Sequence, residues 1–149
     1  MSQESKCIVH SGGLKEWRLN GKLHCLDGPA LEVANGDKQW LLNGKPHRTD
    51  GPAIEYANGS KEWFFNGKLH RTDGPAVEWV DGTKQWWVDG ERHRTDGPAV
   101  EWVDGTKEWH FNGKWLGLGD AGFWALWEKL DEEQRSDWKL LQHAPWVKP

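Results

Sequence analysis

Gly67-Lys68-Leu69-His70-Arg71-Thr72-Asp73-Gly74-Pro75-Ala76-Val77-Glu78-Trp79-Val80-Asp81-Gly82-Thr83-Lys84-Gln85-Trp86-Trp87-Val88-Asp89 is one of four near-copies that decide the fold. The copies occupy 21–43, 44–66, 67–89 and 90–112, each close to G-K-x-H-R-T-D-G-P-A-V-E-W-V-D-G-T-K-E-W-x-F-N. Half a unit precedes them at 13–20, and Gly113-Lys114-Trp115-Leu116 begins another before the pattern dissolves. Self-similarity at a fixed period of 23 residues marks a repeat architecture.

Three kinds of turn punctuate each unit. The first is Asn35-Gly36, Asn58-Gly59, Asp81-Gly82 and Asp104-Gly105. The second is Asn20-Gly21, Asn43-Gly44, Asn66-Gly67, Asp89-Gly90 and Asn112-Gly113. Such dipeptides between β-formers signal tight hairpins, because a type I′ turn needs positive φ at both central residues. The third is Asp-Gly-Pro at Asp27, Asp50, Asp73 and Asp96, where proline removes a ladder donor. The pattern predicts a mainly β fold: an extended, single-layer antiparallel meander of hairpin repeats over 13–116, after a lead-in at 1–12.

A two-residue loop at Asn35-Gly36 sets Leu31 opposite Trp40 and Val33 opposite Lys38. On that register one face carries Ile54, Tyr56, Trp63 and Phe65 with their equivalents, and Trp17, Trp40, Trp63, Trp86 and Trp109 form a ladder down it. The opposite face, with Glu32 and Gln39, is more polar, so the Trp face is the expected core. A longer loop would exchange the faces of one strand.

Residues 117–149 follow another rule. Asp120 can cap a helix in which Phe123, Trp124, Leu126, Trp127 and Leu130 keep helical spacing, and Asp131 with Gln134 resembles a second capping box. The expectation is a C-terminal helical cap, since arrays need an atypical end. The alternative is a docking element.

Asn58-Gly59-Ser60-Lys61-Glu62-Trp63-Phe64-Phe65-Asn66-Gly67-Lys68-Leu69-His70 resembles a MORN repeat, and the likeness extends over about 13–114. The resemblance implies hairpin units in a curved sheet and a non-catalytic scaffold. A similar bacterial branch occurs in proteins labelled as antitoxin components. Arg-Thr-Asp-Gly-Pro-Ala replaces the glycine that follows His in that family, and Phe64 stands where the family often has Gly.

Composition narrows the function. A net charge of −4 lacks the basic excess of a phosphate-backbone binder or of a protein docking on an anionic membrane. No apolar run approaches the ~20 residues of a membrane span, and 1–6 lacks a secretory signal's apolar segment. Cys7 and Cys25 make no disulfide framework, which predicts reduced thiols and a cytoplasmic location.

His24, His47, His70 and His93 each precede an Asp by three residues, a spacing that could hold metal. Identical repetition favours a role in the turn, so no metal and no cofactor are expected. Glu55 facing Glu62, and Glu101 facing Glu108, would suggest paired carboxylates, yet acid–base work needs two different environments. The expectation is therefore no enzyme.

With 13 Trp in 149 residues, some indoles must be partly exposed on a single-layer sheet. The column after the ladder Trp varies where its neighbours are constant: Arg18, Leu41, Phe64, Trp87 and His110. It is the candidate binding stripe, extended by Trp115 and Trp127, and a protein partner is the first expectation. The alternative is a small ligand, a nucleotide or glycan, held by exposed Trp with Arg48, Arg71 and Arg94.

Overall fold

The computed structural model describes residues 4–119 together with Trp124, Glu128 and Glu132. It is mainly β: a 12-stranded antiparallel meander runs the length of the array, with three two-stranded ladders beside it. The helical cap and Trp127 fall almost wholly, and Trp127 entirely, outside the described residues. The lead-in is not merely a leader, since Lys6–Val9 pairs along Lys15–Leu19 as the first edge strand. Among the described residues no helix is long and apolar enough to cross a membrane.

Each unit divides its strands at the ladder Trp. In the first unit Leu31–Glu32 and Lys38–Gln39 belong to the long sheet, and Leu41–Leu42 pairs with Lys45–Pro46 of the second in the side ladder. Trp40 stands between, donating its N–H to Ala53 O at 2.8 Å and accepting at its own carbonyl from His47 N at 3.0 Å. The side ladders are joined in turn: Gly67 N donates to Pro46 O at 2.8 Å, and Arg48 N to Phe64 O at 3.2 Å.

The two kinds of Asn-Gly turn differ. At Asn43-Gly44 both residues have positive φ, 53° and 80°, and Leu42 pairs with Lys45, as a type I′ turn requires. At Asn35-Gly36 only the glycine does, at 101°. There Gly36 N donates to Val33 O at 2.9 Å, and Val33 N closes the loop on Asp37 O at 2.9 Å. The loop is therefore three residues, 34–36, with Gly36 in the left-handed region. The Asn35 side chain turns inward, its Oδ1 accepting from Asp37 N at 3.0 Å.

That extra residue corrects the expected register. Leu31 pairs with Gln39 rather than Trp40, and Glu32 with Lys38. The ladder Trp accordingly lies on the face opposite Ile54 and Tyr56, not beside them. The expected Glu55–Glu62 and Glu101–Glu108 pairs do not form. Glu55 stands opposite Lys61 and Ile54 opposite Glu62, while Glu101 stands opposite Lys107 and Val100 opposite Glu108. Neighbouring residues of a strand point to opposite faces, so those carboxylates are on different sides of the sheet.

Two rows cross the sheet as a result. On the Trp face, Lys15, Glu32, Lys38, Glu55, Lys61, Glu78, Lys84, Glu101 and Lys107 alternate in charge, each in register with the next. Opposite charges on adjacent strands each add a few tenths of a kcal/mol, about 0.2–1. On the other face Leu31, Ile54, Val77 and Val100 alternate with Gln39, Glu62, Gln85 and Glu108. Ile54, Val77 and Val100 are buried there, while Ala30, Ala53, Ala76 and Ala99 are wholly buried where each unit enters the sheet. The core is thus a thin layer of small side chains under longer ones.

Candidate binding face

The Trp face is closed by the loops that carry Arg-Thr-Asp-Gly-Pro. Arg48, Arg71 and Arg94 lie over Trp40, Trp63 and Trp86 at 3.9, 4.1 and 3.8 Å from the ring centroids, well inside cation–π range. Each guanidinium is held on its remaining sides. Arg71 Nε donates to Asp73 at 2.8 Å, and Nη1 to Pro75 O and to Glu78, both at 3.1 Å. The arginine packs close on the loop, and a Cβ on Gly74 would come within 2.9 Å of the Arg71 guanidinium carbon. The arginines that the small-ligand reading would use are thus engaged within their own units. Arg71 and Arg48 in turn hold the Asp73 and Asp50 carboxyls below the usual range, mainly through those hydrogen bonds.

The histidines of the H-x-x-D motif serve the next hairpin. Asn43 N donates to His24 Nδ1 at 3.2 Å, and the same bond joins Asn66 to His47, Asp89 to His70 and Asn112 to His93. Asp50, Asp73 and Asp96 accept from the arginines instead, so in those three units the His and Asp of the motif serve different partners. Along the opposite margin Asp37, Ser60 and Thr83 accept from Ala57 N, Val80 N and Val103 N at 2.7, 3.0 and 3.3 Å. Each unit is therefore tied to its successor at both margins.

The variable column lies on the other face. It stands beside the Glu/Gln row, and its three polar-tipped members are joined to that row two residues back. Arg18 Nε donates to Glu16 at 3.0 Å, Trp87 Nε1 to Gln85 at 3.1 Å, and His110 Nε2 lies 3.1 Å from Glu108. Leu41 and His110 are buried, whereas Arg18, Phe64 and Trp87 are half-buried. Trp115, opposite His110 in register, is 54% exposed. Six of the seven expected residues are thus placed on one face, two of them sunk into it.

Sequence reasoning missed a second column on this face: Val33, Tyr56, Trp79 and Trp102. Trp79 and Trp102 are each 37% exposed, and the Tyr56 and Trp79 rings lie 6.1 Å apart. Trp102 Nε1 donates to Glu108 Oε1 at 3.0 Å, so one carboxylate bridges this column to His110. The growth in size from Val33 to Trp102 is the sequence signal. The assumed register buried that column with the ladder and hid it.

The bridging row also sets two contrasting carboxyls. Glu62 stands between Ile54 and Val77, and burial raises its carboxyl, only partly offset by the Tyr56 hydroxyl. Burial acts the same way on Glu108, but His110, Trp102 and the charge of Arg92 outweigh it and hold that carboxyl low. The equivalents of Glu62 in the flanking units are Gln39 and Gln85. A raised folded-state value means that ionisation costs the folded state stability as pH rises through it. Glu62→Gln should therefore melt above the wild type at pH 7, with the gap closing below the unperturbed Glu value of about 4.3. Equal gaps at pH 7 and pH 3 in thermal melts would show that the carboxyl is not responsible.

No family model matches the chain, and no curated protein is significantly similar to it.

Proposed function

We propose that the protein is a non-catalytic repeat scaffold that binds a protein partner through the face bearing Phe64, Trp79, Trp87, Trp102 and Trp115. The observation that carries this reading is where the exposed apolar side chains gather. Six of the ten exposed large apolar side chains among the described residues, Trp79, Val80, Trp102, Val103, Trp115 and Leu118, belong to the last two units and the strand that follows, while Ile8, Val9, Leu26 and Phe65 lie earlier. Val33, Ala34 and Ala57 are smaller at the corresponding earlier positions, so these two columns gain apolar size along the array. Contiguous exposed apolar surface marks interaction sites, and Trp is enriched among residues that dominate interface energies. The flanking Glu and Gln row supplies the polar groups that orient a partner.

The MORN-like sequence of 58–70 supports the same reading, and neutralisation of a bacterial or phage enzyme is the use we assign to it. The unpaired Cys7 and Cys25 fit a reducing cytoplasm. The test is affinity capture from the native host with wild type and with two paired variants, Phe64→Ala/Trp87→Ala and Trp79→Ala/Trp102→Ala. Both should bind the captured partner at least about tenfold more weakly, as loss of interface aromatics does. Their folds should persist in circular dichroism. Unchanged affinity in both would remove this face from the reading.

A further inference from the structure

Unit one has Cys25 where its successors carry Arg48, Arg71 and Arg94, yet it keeps every group that receives the arginine. In the second unit those groups are the Trp40 ring, Asp50, the Pro52 carbonyl and Glu55. Their equivalents are Trp17, Asp27, Pro29 and Glu32. The three later units repeat one geometry closely. Ring distances run from 3.8 to 4.1 Å, Nε–Asp contacts from 2.7 to 2.8 Å, and Nη1–Glu contacts from 2.9 to 3.1 Å. The same fold has thus built a guanidinium receptor four times and supplied the guanidinium three times.

The first receptor is accessible. A cavity of about 670 Å³ lies over Trp17, with Glu4 and Ser5 on one side and residues 24–29 on the other; cavities of about 510 and 600 Å³ also flank the receptors that hold Arg48 and Arg94, so what distinguishes the first is Cys25. The small Cys25 side chain leaves room at the loop glycine. A Cβ on Gly28 would meet only the Cys25 sulfur, at 4.0 Å, whereas one on Gly51 would meet the Arg48 guanidinium at 3.0 Å. Glu32 accepts from Lys15 at 3.1 Å through one carboxylate oxygen, and a carboxylate has a second oxygen that can accept. Leu26, 77% exposed where the other units have threonine, gives the rim an apolar edge.

We infer that the Trp17–Asp27–Pro29–Glu32 slot of the first unit binds a guanidinium group from outside the chain. The planar cation would lie on the Trp17 ring, one edge toward Asp27 and the other toward the Pro29 carbonyl and Glu32. Lysine is a poor substitute, because an ammonium neither stacks flat on the ring nor presents a fork of donors. The slot lies on the face opposite the aromatic columns, so it does not depend on the partner reading above.

Titrating the 15N-labelled full chain with N-acetyl-arginine amide and N-acetyl-lysine amide tests this. The Trp17 indole N–H resonance is identified by its loss in Trp17→Phe. It should move with the arginine compound and respond to the lysine compound at least about tenfold more weakly. Cys25→Arg should abolish the response by placing the chain's own guanidinium in the slot, and Asp27→Asn/Glu32→Gln should weaken it. An unmoved Trp17 resonance, or equal responses in wild type and Cys25→Arg, would overturn the inference. Two further ligands separate the possible sources. Tighter binding of acetyl-Gly-Arg-Gly-amide than of free L-arginine indicates an arginine presented by a protein, and the reverse order indicates a small guanidinium compound.

Discussion

Trp109→Ala should destabilise the protein by about 3–5 kcal/mol, the cost typical of deleting a large aromatic side chain from a core. Trp109 is 1% exposed, whereas Trp17, Trp40, Trp63 and Trp86 are half-buried. It ends the indole ladder, in register with Gly117 on the following strand and next to a β-bulge between Trp109 and His110. Neighbours fixed by backbone pairing cannot collapse into the space of a removed indole, so the cavity term adds to the transfer term. A chain of this size loses about 2–4 °C in Tm per kcal/mol, so a drop on the order of 10 °C is expected. Trp63→Ala should cost less, because its ring is half-buried and stacked on one side by Arg71. A Trp109→Ala melt no lower than that of Trp63→Ala would refute the burial assigned to the end of the ladder.

Arg71→Ala should cost about 2 kcal/mol, composed of the cation–π contact with Trp63 and the charge-assisted bonds to Pro75 O and Glu78. The bond to Asp73 is left out, since that carboxylate is largely solvated and exposed ion pairs contribute little. Arg71 is buried enough for the others to count, with 22% of its side chain exposed. The indole and guanidinium act on one another, so a double-mutant cycle with Trp63→Leu should show coupling of at least about 0.5 kcal/mol. Simple additivity in denaturant titrations would mean that the guanidinium contributes through its hydrogen bonds alone.

The period, the antiparallel meander and the tight turns are all legible in the sequence, because each follows from a local backbone demand. Asn43-Gly44 needs positive φ twice, and few other dipeptides supply it. The faces are not legible by the same route. Asn35-Gly36 carries the identical dipeptide but uses Asn35 as a side-chain acceptor and only Gly36 in the left-handed region. That choice moves the ladder Trp to the other side of the sheet. It rests on the first side chain accepting from the backbone two residues on, as Asp104 also does from Thr106 N at 2.8 Å, a choice that the dipeptide alone does not reveal. The stripe from Arg18 to His110 is legible as a column that varies among constant neighbours. Its companion, Tyr56, Trp79 and Trp102, is hidden by the assumed register. The arginine receptor is visible in outline as a column broken once, at Cys25. What the broken column does becomes apparent only when Arg48 is seen lying on Trp40.

The ties at the two margins reach one hairpin forward and no further. His24 holds the turn at Asn43, and Asp37 holds the loop at Ala57, at the same 19- and 20-residue offsets wherever the pattern recurs. Nothing in this bonding scheme records how many units precede or follow. Duplication or loss of whole 23-residue segments within the gene would leave the scheme of ties intact, while an indel of another length between two tied residues would change their offset. The length of the array is therefore a heritable quantity that changes in steps. On the proposed partner reading, the large side chains of Trp102 and Trp115 stay at one end of a lengthened array, and the added units become a spacer.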